Sequence, residues 1–280
     1  MISVIIPYYN PDGRADTEQL LYLAVQSVLD SLDGFCQYQV IVVDDGSFRI
    51  ATGLPAHFSG KPVHLECARH GCLGAARNRG LELAQGDLVS FLDADDVYLP
   101  ASFRQCVQQM EQSDSQALSF RMIESFSPTM PSDSGKADAS AAEVMTGDKF
   151  MRTGNLFASS CLYIFRKQFL KDNRLCFVEG KTAEDEEFTP RMLTLCQKLT
   201  VSEITAYVYC HRTGSITDTE TPERLKARIA NARFALGSLK EFRRQHQHIP
   251  HKGLDRKIAT LQLDIQRLRF RIFRSYFRRK

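Results

Sequence analysis

Three short apolar runs in the first hundred residues each end abruptly in polar residues of ligating type. Ile2–Pro7 runs into Tyr8-Tyr9-Asn10, Gln39–Val43 into Asp44-Asp45-Gly46-Ser47, and Leu88–Leu92 into Asp93-Ala94-Asp95-Asp96. Each run has strand length and is rich in apolar, mostly β-branched residues. Between the first two, Leu20, Leu21, Ala24, Val25, Val28 and Leu32 recur at helical spacing within Thr17–Leu32. Val63–Cys67 reads as a weaker strand and Gly74–Ala84 as a second helix. Such alternation predicts an α/β fold: a mostly parallel sheet with helices on both faces. Ligands of these sheets bind beyond the carboxyl ends of the strands. The three polar strand ends are therefore expected to share one crevice.

Past Leu99 the pattern loosens. Ala101–Gln112 and Glu184–Leu195 read as helices, the second with Pro190 in its first turn or at a kink. Leu156–Phe165 and Leu199–Tyr209 read as strands, and Pro222 to the end is almost entirely helix former. Ser125–Ala142, rich in Ser, Pro, Asp and Ala, reads as a mobile loop over a site or a disordered insertion. With 43% apolar and 25% charged residues, the composition excludes fibrous and wholly disordered chains. No apolar run approaches the roughly 18–20 residues that span a bilayer, and no basic leader follows Met1, so no signal peptide is expected. None of the eight cysteines forms a C-x-x-C pair, and they are expected to be buried thiols in a reducing cytoplasm.

Charge is unevenly distributed. The total is 36 − 33 = +3, but residues 223–280 hold 17 basic and 4 acidic residues, or +13, leaving −10 for residues 1–222. This suggests a domain over 1–222, with halves at 1–100 and 101–222, followed by a basic helical region at 223–280. An acidic body favours a cation site, and a basic tail favours an anionic surface. In that tail Ile258, Leu261, Ile265, Leu268 and Ile272 alternate spacings of three and four, a short heptad seam flanked by arginines and aromatics. The seam has three available uses: an anionic membrane, a second subunit, or packing on the body. Nucleic acid ranks below these, because no nucleic-acid motif is present.

Asp93, Asp95 and Asp96 crowd three carboxylates into four residues. Such a cluster is stable when a cation or buried donors compensate it, although an acidic turn capping the next helix accounts for it equally well in isolation. Asp44 or Asp45 can accept from a nucleobase or ribose, or simply make a turn. Tyr9 can stack on a base or sit half-buried. Arg77 can fork onto a diphosphate or lie on a solvated helix face.

Taken together and in order, Ile2 to Asn10, Val40 to Ser47, Gly74-Ala75-Ala76-Arg77-Asn78-Arg79-Gly80 and Phe91 to Asp96 resemble family 2 glycosyltransferases of the GT-A fold. The resemblance is close over roughly the first hundred residues and thins towards Thr217. It implies an inverting transferase using a nucleotide-diphospho-sugar, most often a UDP-sugar. Pro7, Tyr9 and Asp44 or Asp45 would hold base and ribose. Asp93 would face the ribose or donor sugar, and Asp95, the second acid of the D-x-D motif, would bind Mn2+ or Mg2+. The general base would come from Glu184-Asp185, assigned to Asp185 with Glu184 and Glu186 as fallbacks. His211 would be a further metal ligand, and Arg212 would reach a phosphate. His70 stands where the family often has Asn and receives no role.

The expectation is a cytoplasmic, metal-dependent enzyme, peripheral at the inner face of the membrane. It would move a hexose or N-acetylhexosamine to a glycan or lipid-linked acceptor in bacterial surface polysaccharide assembly. The rivals are a nucleotidyltransferase, which usually carries an early Gly-rich phosphate loop that Ile5–Gly13 lacks, and a non-catalytic nucleotide-sugar binder or membrane scaffold, against which Asp95 and Asp185 both count.

Overall fold

The computed structural model describes residues 1–48, 51–126, 142–154, 158–182, 184–211 and 221–277, with side chains to residue 274. The chain opens with β1 (Ile2–Tyr8), buried at every position. A strand covered on both faces needs a near-continuous apolar run, which is what its sequence supplies. There follow α1 (Ala15–Leu32), β2 (Tyr38–Asp44), the one-turn α2 (Leu54–His57), β3 (Val63–Cys67), α3 (Leu73–Leu83) and β4 (Leu88–Phe91). These strands are parallel, in the order β3-β2-β1-β4. Tyr8 lies beside Asp44 and Ile5 beside Phe91, so the carboxyl ends of β1, β2 and β4 open on the same edge.

The second half mixes directions. β5 (Val97–Tyr98), α4 (Pro100–Gln112), β6 (Ala117–Ser125), β7 (Glu143–Met145) and α5 (Gly147–Thr153) lead to β8 (Tyr163–Arg166) and α6 (Lys167–Asp172). Then come α7 (Glu184–Leu195) and β9 (Leu199–Cys210). β8 joins β4 and β6 antiparallel, β9 runs parallel to β6, and the short β5 and β7 pair antiparallel with β9. Of the strand expected over 156–165, the described residues form only the end, because Ser160–Leu162 is a 3₁₀ turn; residues 155–157 lie outside the described residues. Most of the loop expected over Ser125–Ala142, residues 127–141, also lies outside them.

The basic region forms α8 (Pro222–Gln245) and α9 (Lys252–Phe277), separated at Ile249-Pro250 where proline cannot continue a helix. It is no loose tail. Ala235, Leu239, Phe242, Leu254, Ile258 and Leu261 join the core of the sheet domain. Ile265 and Leu268 pack with Leu225 and Ile229, and Ile272 lies against them. The heptad seam is thus used within the chain, between α8, α9 and the body, and is not left open for a membrane or a second subunit. Among the described residues no helix is long and apolar enough to cross a membrane. The eight cysteines are free thiols, but Cys67 and Cys176 are exposed, against the expectation that all are buried.

Candidate active site

The site begins with α3. Gly80 lies so close to β1 that a Cβ there would meet Ile5 Cγ2 at 2.3 Å, which lets the helix seat against the strand. One turn earlier, Arg77 is fully buried. Its Nη2 donates to Asp93 Oδ1 at 2.9 Å, and its Nη1 to Glu184 Oε1 at 3.0 Å and Asp185 Oδ2 at 3.2 Å. Phe177 lies under the guanidinium, 5.3 Å from ring centre to Cζ. Burial disfavours the cation, but Asp185, Asp93 and Glu184 outweigh it and hold the guanidinium charged. The fork expected to meet a diphosphate is therefore taken up by three carboxylates of the chain. Removing one partner of such a buried cluster costs about 3–5 kcal/mol, because it strands the remaining charge.

Neighbouring residues of the same helix serve the same end. Asn78 donates to Phe177 O at 2.9 Å and accepts from Phe177 N–H at 2.8 Å, fixing the segment that leads to α7. Arg79 pairs with Glu66 of β3 at 2.7 Å.

Each of the four acids that open α7 has a partner. Asp185 accepts from Arg77 and, through Oδ1, from the Ser160 N–H at 3.0 Å, with a fifth of its side chain exposed. Glu184 is buried, and burial pushes its carboxyl up; Arg77 opposes this and Asp185 adds to it. Glu186 pairs with Lys257 of α9 at 2.6 Å. Glu187 accepts from Arg191 at 2.6 Å and from Ser238 of α8 at 2.6 Å. A sequence shows such a run only as acids favoured by a helix dipole.

After β4 the three aspartates diverge. Asp93 pairs with Arg77. Asp96 is buried and accepts from the Tyr207 hydroxyl at 2.5 Å and the Cys210 N–H at 2.8 Å. Burial, then the charges of Asp95 and Asp93, push its carboxyl up to about 8. Asp95 is half-buried between them. Among the described residues no group of three or more His, Cys, Asp or Glu side chains is placed to cage a metal. What the carboxylates offer is a smaller donor set, one that a bound phosphate would have to complete. Three carboxylates share the single charge of Arg77, with Asp95 and Asp96 beside them, and hard divalent ions are commonly held by one or two carboxylates plus substrate phosphate. The His211 ring stacks on Phe126 at 4.1 Å and its Nε2 lies 3.1 Å from Glu124 Oε2. Arg212 lies outside the described residues.

Beyond β1 and β2 a cavity of about 990 Å3 opens, lined by Pro7, Tyr9, Asp45 and His70 on one side and Lys181, Thr182 and Glu184 on another. Asp45 Oδ1 accepts from the Gly71 N–H at 2.8 Å, and its Oδ2 lies 3.1 Å from His70 Nδ1. The His70 ring stacks on Tyr9 at 4.4 Å. Gly46 has φ +77°, and a Cβ there would meet the His70 backbone at 2.9 Å. Asp44 behaves differently from its neighbour. It is buried, accepts from the Ser47 N–H at 2.9 Å and the Ala51 N–H at 3.4 Å, and makes the turn rather than a cavity wall. Reasoning from sequence missed His70, whose one signal was its place between β3 and α3.

Against known proteins, the pattern described as glycosyl transferase family 2 matches residues 3–173. The chain is 24% identical over 229 residues to the uncharacterized glycosyltransferase YibD of Escherichia coli, covering 76% of this chain and 62% of that protein. It is 27% identical over 212 residues to the poly(ribitol-phosphate) beta-N-acetylglucosaminyltransferase TarS of Staphylococcus aureus, covering 74% of this chain and 35% of TarS. The chain thus spans less than two thirds of the length of either relative. Among solved structures, S. aureus TarS in complex with UDP-GlcNAc superposes with a TM-score of 0.69 at 20% identity, over 93% of this chain and 71% of that one. The mannosyltransferase PcManGT of Pyrobaculum calidifontis, in complex with GDP-Man and Mn2+, superposes with a TM-score of 0.64 at 14% identity, over 95% and 71%.

Proposed function

The chain belongs to glycosyl transferase family 2 and has the GT-A fold, and on that premise we propose that it is an inverting glycosyltransferase. It takes a hexose or N-acetylhexosamine from a UDP-sugar and passes it to a hydroxyl of a glycan or lipid-linked acceptor in bacterial surface polysaccharide assembly. The observation that carries this reading is Arg77. One buried guanidinium ties the carboxylate at the end of β4 to the carboxylates at the start of α7, beside a cavity large enough for a nucleotide.

In this reading Pro7, Tyr9 and Asp45 hold the nucleoside, with Tyr9 offering a stacking face and Asp45 an acceptor. Asp93 faces the donor sugar. Asp185 is the general base. An acceptor hydroxyl is a weak nucleophile, and a carboxylate fixed on both oxygens takes its proton as the hydroxyl oxygen attacks the anomeric carbon. The bond to the diphosphate breaks from the opposite face, and one displacement inverts the centre. Asp95, with His211 as second ligand, would hold Mn2+ or Mg2+, which when bound stabilises the charge on the departing diphosphate. The name of TarS, a poly(ribitol-phosphate) beta-N-acetylglucosaminyltransferase, and its complex with UDP-GlcNAc support a UDP-sugar donor and a polymeric acceptor. The exposed Phe270 and Phe273, among the exposed Arg267, Arg269, Arg271 and Arg274 of α9, support attachment to an anionic cytoplasmic membrane face.

The test is product analysis with a panel of UDP-sugars, Mn2+ and glycan acceptors. Release of UDP, lost together with its Mn2+ dependence in Asp95→Ala, is expected. Release of sugar 1-phosphate, with UMP passed to the acceptor, would instead mean nucleotidyl transfer.

A further inference from the structure

The cavity has a wall that the family pattern does not reach. That pattern ends at residue 173, whereas Arg224, Arg228 and Asn231 of α8 line the cavity together with Tyr9 and Asp45. These three fall at i, i+4 and i+7, one stripe of the helix. The neighbouring stripe, Leu225 and Ile229, is buried against Ile265 and Leu268 of α9. The helix is therefore fixed in rotation: packing on α9 leaves the arginine stripe turned to the cavity. It is also fixed in position. Asn231 Nδ2 donates to Thr182 Oγ1, the Lys181 ammonium lies 5.4 Å from the Phe234 ring centre, and Ser238 holds Glu187.

Charge complements this placement. The strand-end side of the cavity contributes Asp45, and α7 contributes Glu184, which is already paired with Arg77. The α8 side contributes Arg224, Arg228 and the adjacent Lys181. A cavity with an acceptor and an aromatic ring at one side and two arginines at the other suits a ligand that is part nucleoside and part polyanion. Arginine forks match phosphate oxygens in pairs.

We propose that Arg224 and Arg228 bind the diphosphate of the donor, so that the C-terminal helices form part of the nucleotide site. This rests on the reading of the cavity as a donor site. It adds a phosphate-binding wall from outside the matched segment and gives the guanidinium role expected of Arg77 to two residues of α8.

The experiment is titration calorimetry of the full chain with UDP and with uridine, for wild type, Arg224→Gln, Arg228→Gln and Asp45→Asn. Each arginine variant is expected to weaken UDP about tenfold, the scale of one charged hydrogen bond, while uridine affinity stays within about twofold. Asp45→Asn is expected to weaken both ligands alike. Equal UDP affinity in wild type and both arginine variants, with Asp45→Asn still impaired, overturns the proposal and leaves the donor-site reading standing. Equal losses for UDP and uridine in the arginine variants also overturn it, since the arginines would then shape the cavity rather than bind phosphate. No binding of UDP or uridine by folded wild type overturns the proposal and the donor-site reading together. Thermal unfolding without ligand checks that each variant folds.

Discussion

Asp95 and Asp96 are adjacent in the chain and differ in kind. Asp96 is buried with two donors on its oxygens, and its carboxyl is pushed up to about 8. A carboxyl raised above its unfolded value near 3.8 contributes most below about pH 4 and loses that contribution as pH climbs to 8. Asp96→Asn removes the ionisation but keeps an oxygen for one donor. The unfolding free energy of wild type relative to Asp96→Asn is thus expected to fall steadily between pH 4 and pH 8, measured by urea titration without metal. A difference that stays flat, or rises with pH, would contradict the buried placement. The residue scale also shows what a sequence conceals. Asp44 and Asp45 are chemically identical on paper, and backbone geometry alone gives one to the turn and the other to the cavity. Arg77 looks like a phosphate fork until its three carboxylates arrive from residues 93, 184 and 185.

At the scale of elements, the legible parts were those with a strong period or a continuous apolar run. β1, β2, β3, β4, α1, α3, α4, α7 and β9 lie within two residues of their expected ends. β5 has two residues and β7 three, too short to show any period, and α5 spans only two turns. β6 is buried over Ala117–Phe120 and mostly open beyond, so neither alternation nor a continuous run marks its whole length. The expected helical tail became a hairpin because Pro250 interrupts it. Among these elements α3 bears most directly on the site, since its approach to β1 sets where Arg77 lies. Gly80→Ala would drive a Cβ into Ile5. It is expected to cost about 1–3 kcal/mol in chemical denaturation, the scale of an overpacked core, and to lower activity through displacement of Arg77. Unchanged stability would mean that the helix has room to spare.

Across the whole molecule, the first hundred residues supply the strand ends, while residues far along the chain close the site. Asp185 lies beyond the segment that the family pattern matches, and α8 and α9 lie further still. Arg77 bridges the first gap, and Ser238 and Lys257 bridge the second by holding the acids of α7. Sequence reasoning found the two carboxylate groups and Arg77 but not the pairing between them, because a contact across 107 positions leaves no local trace. It found the basic helices but left their seam open between a membrane, a partner and the body, because the face that covers Ile258 to Ile272 is spread over the chain's own α8 and core. The central claim is that donor and base sides form one site with Asp185 taking the proton. The most direct measurement is Asp185→Asn assayed for sugar transfer and, separately, for UDP affinity. Transfer is expected to fall at least about a hundredfold, the scale of a lost general base, with UDP affinity within about twofold of wild type; retained transfer, or UDP affinity lost in step with it, would contradict the account.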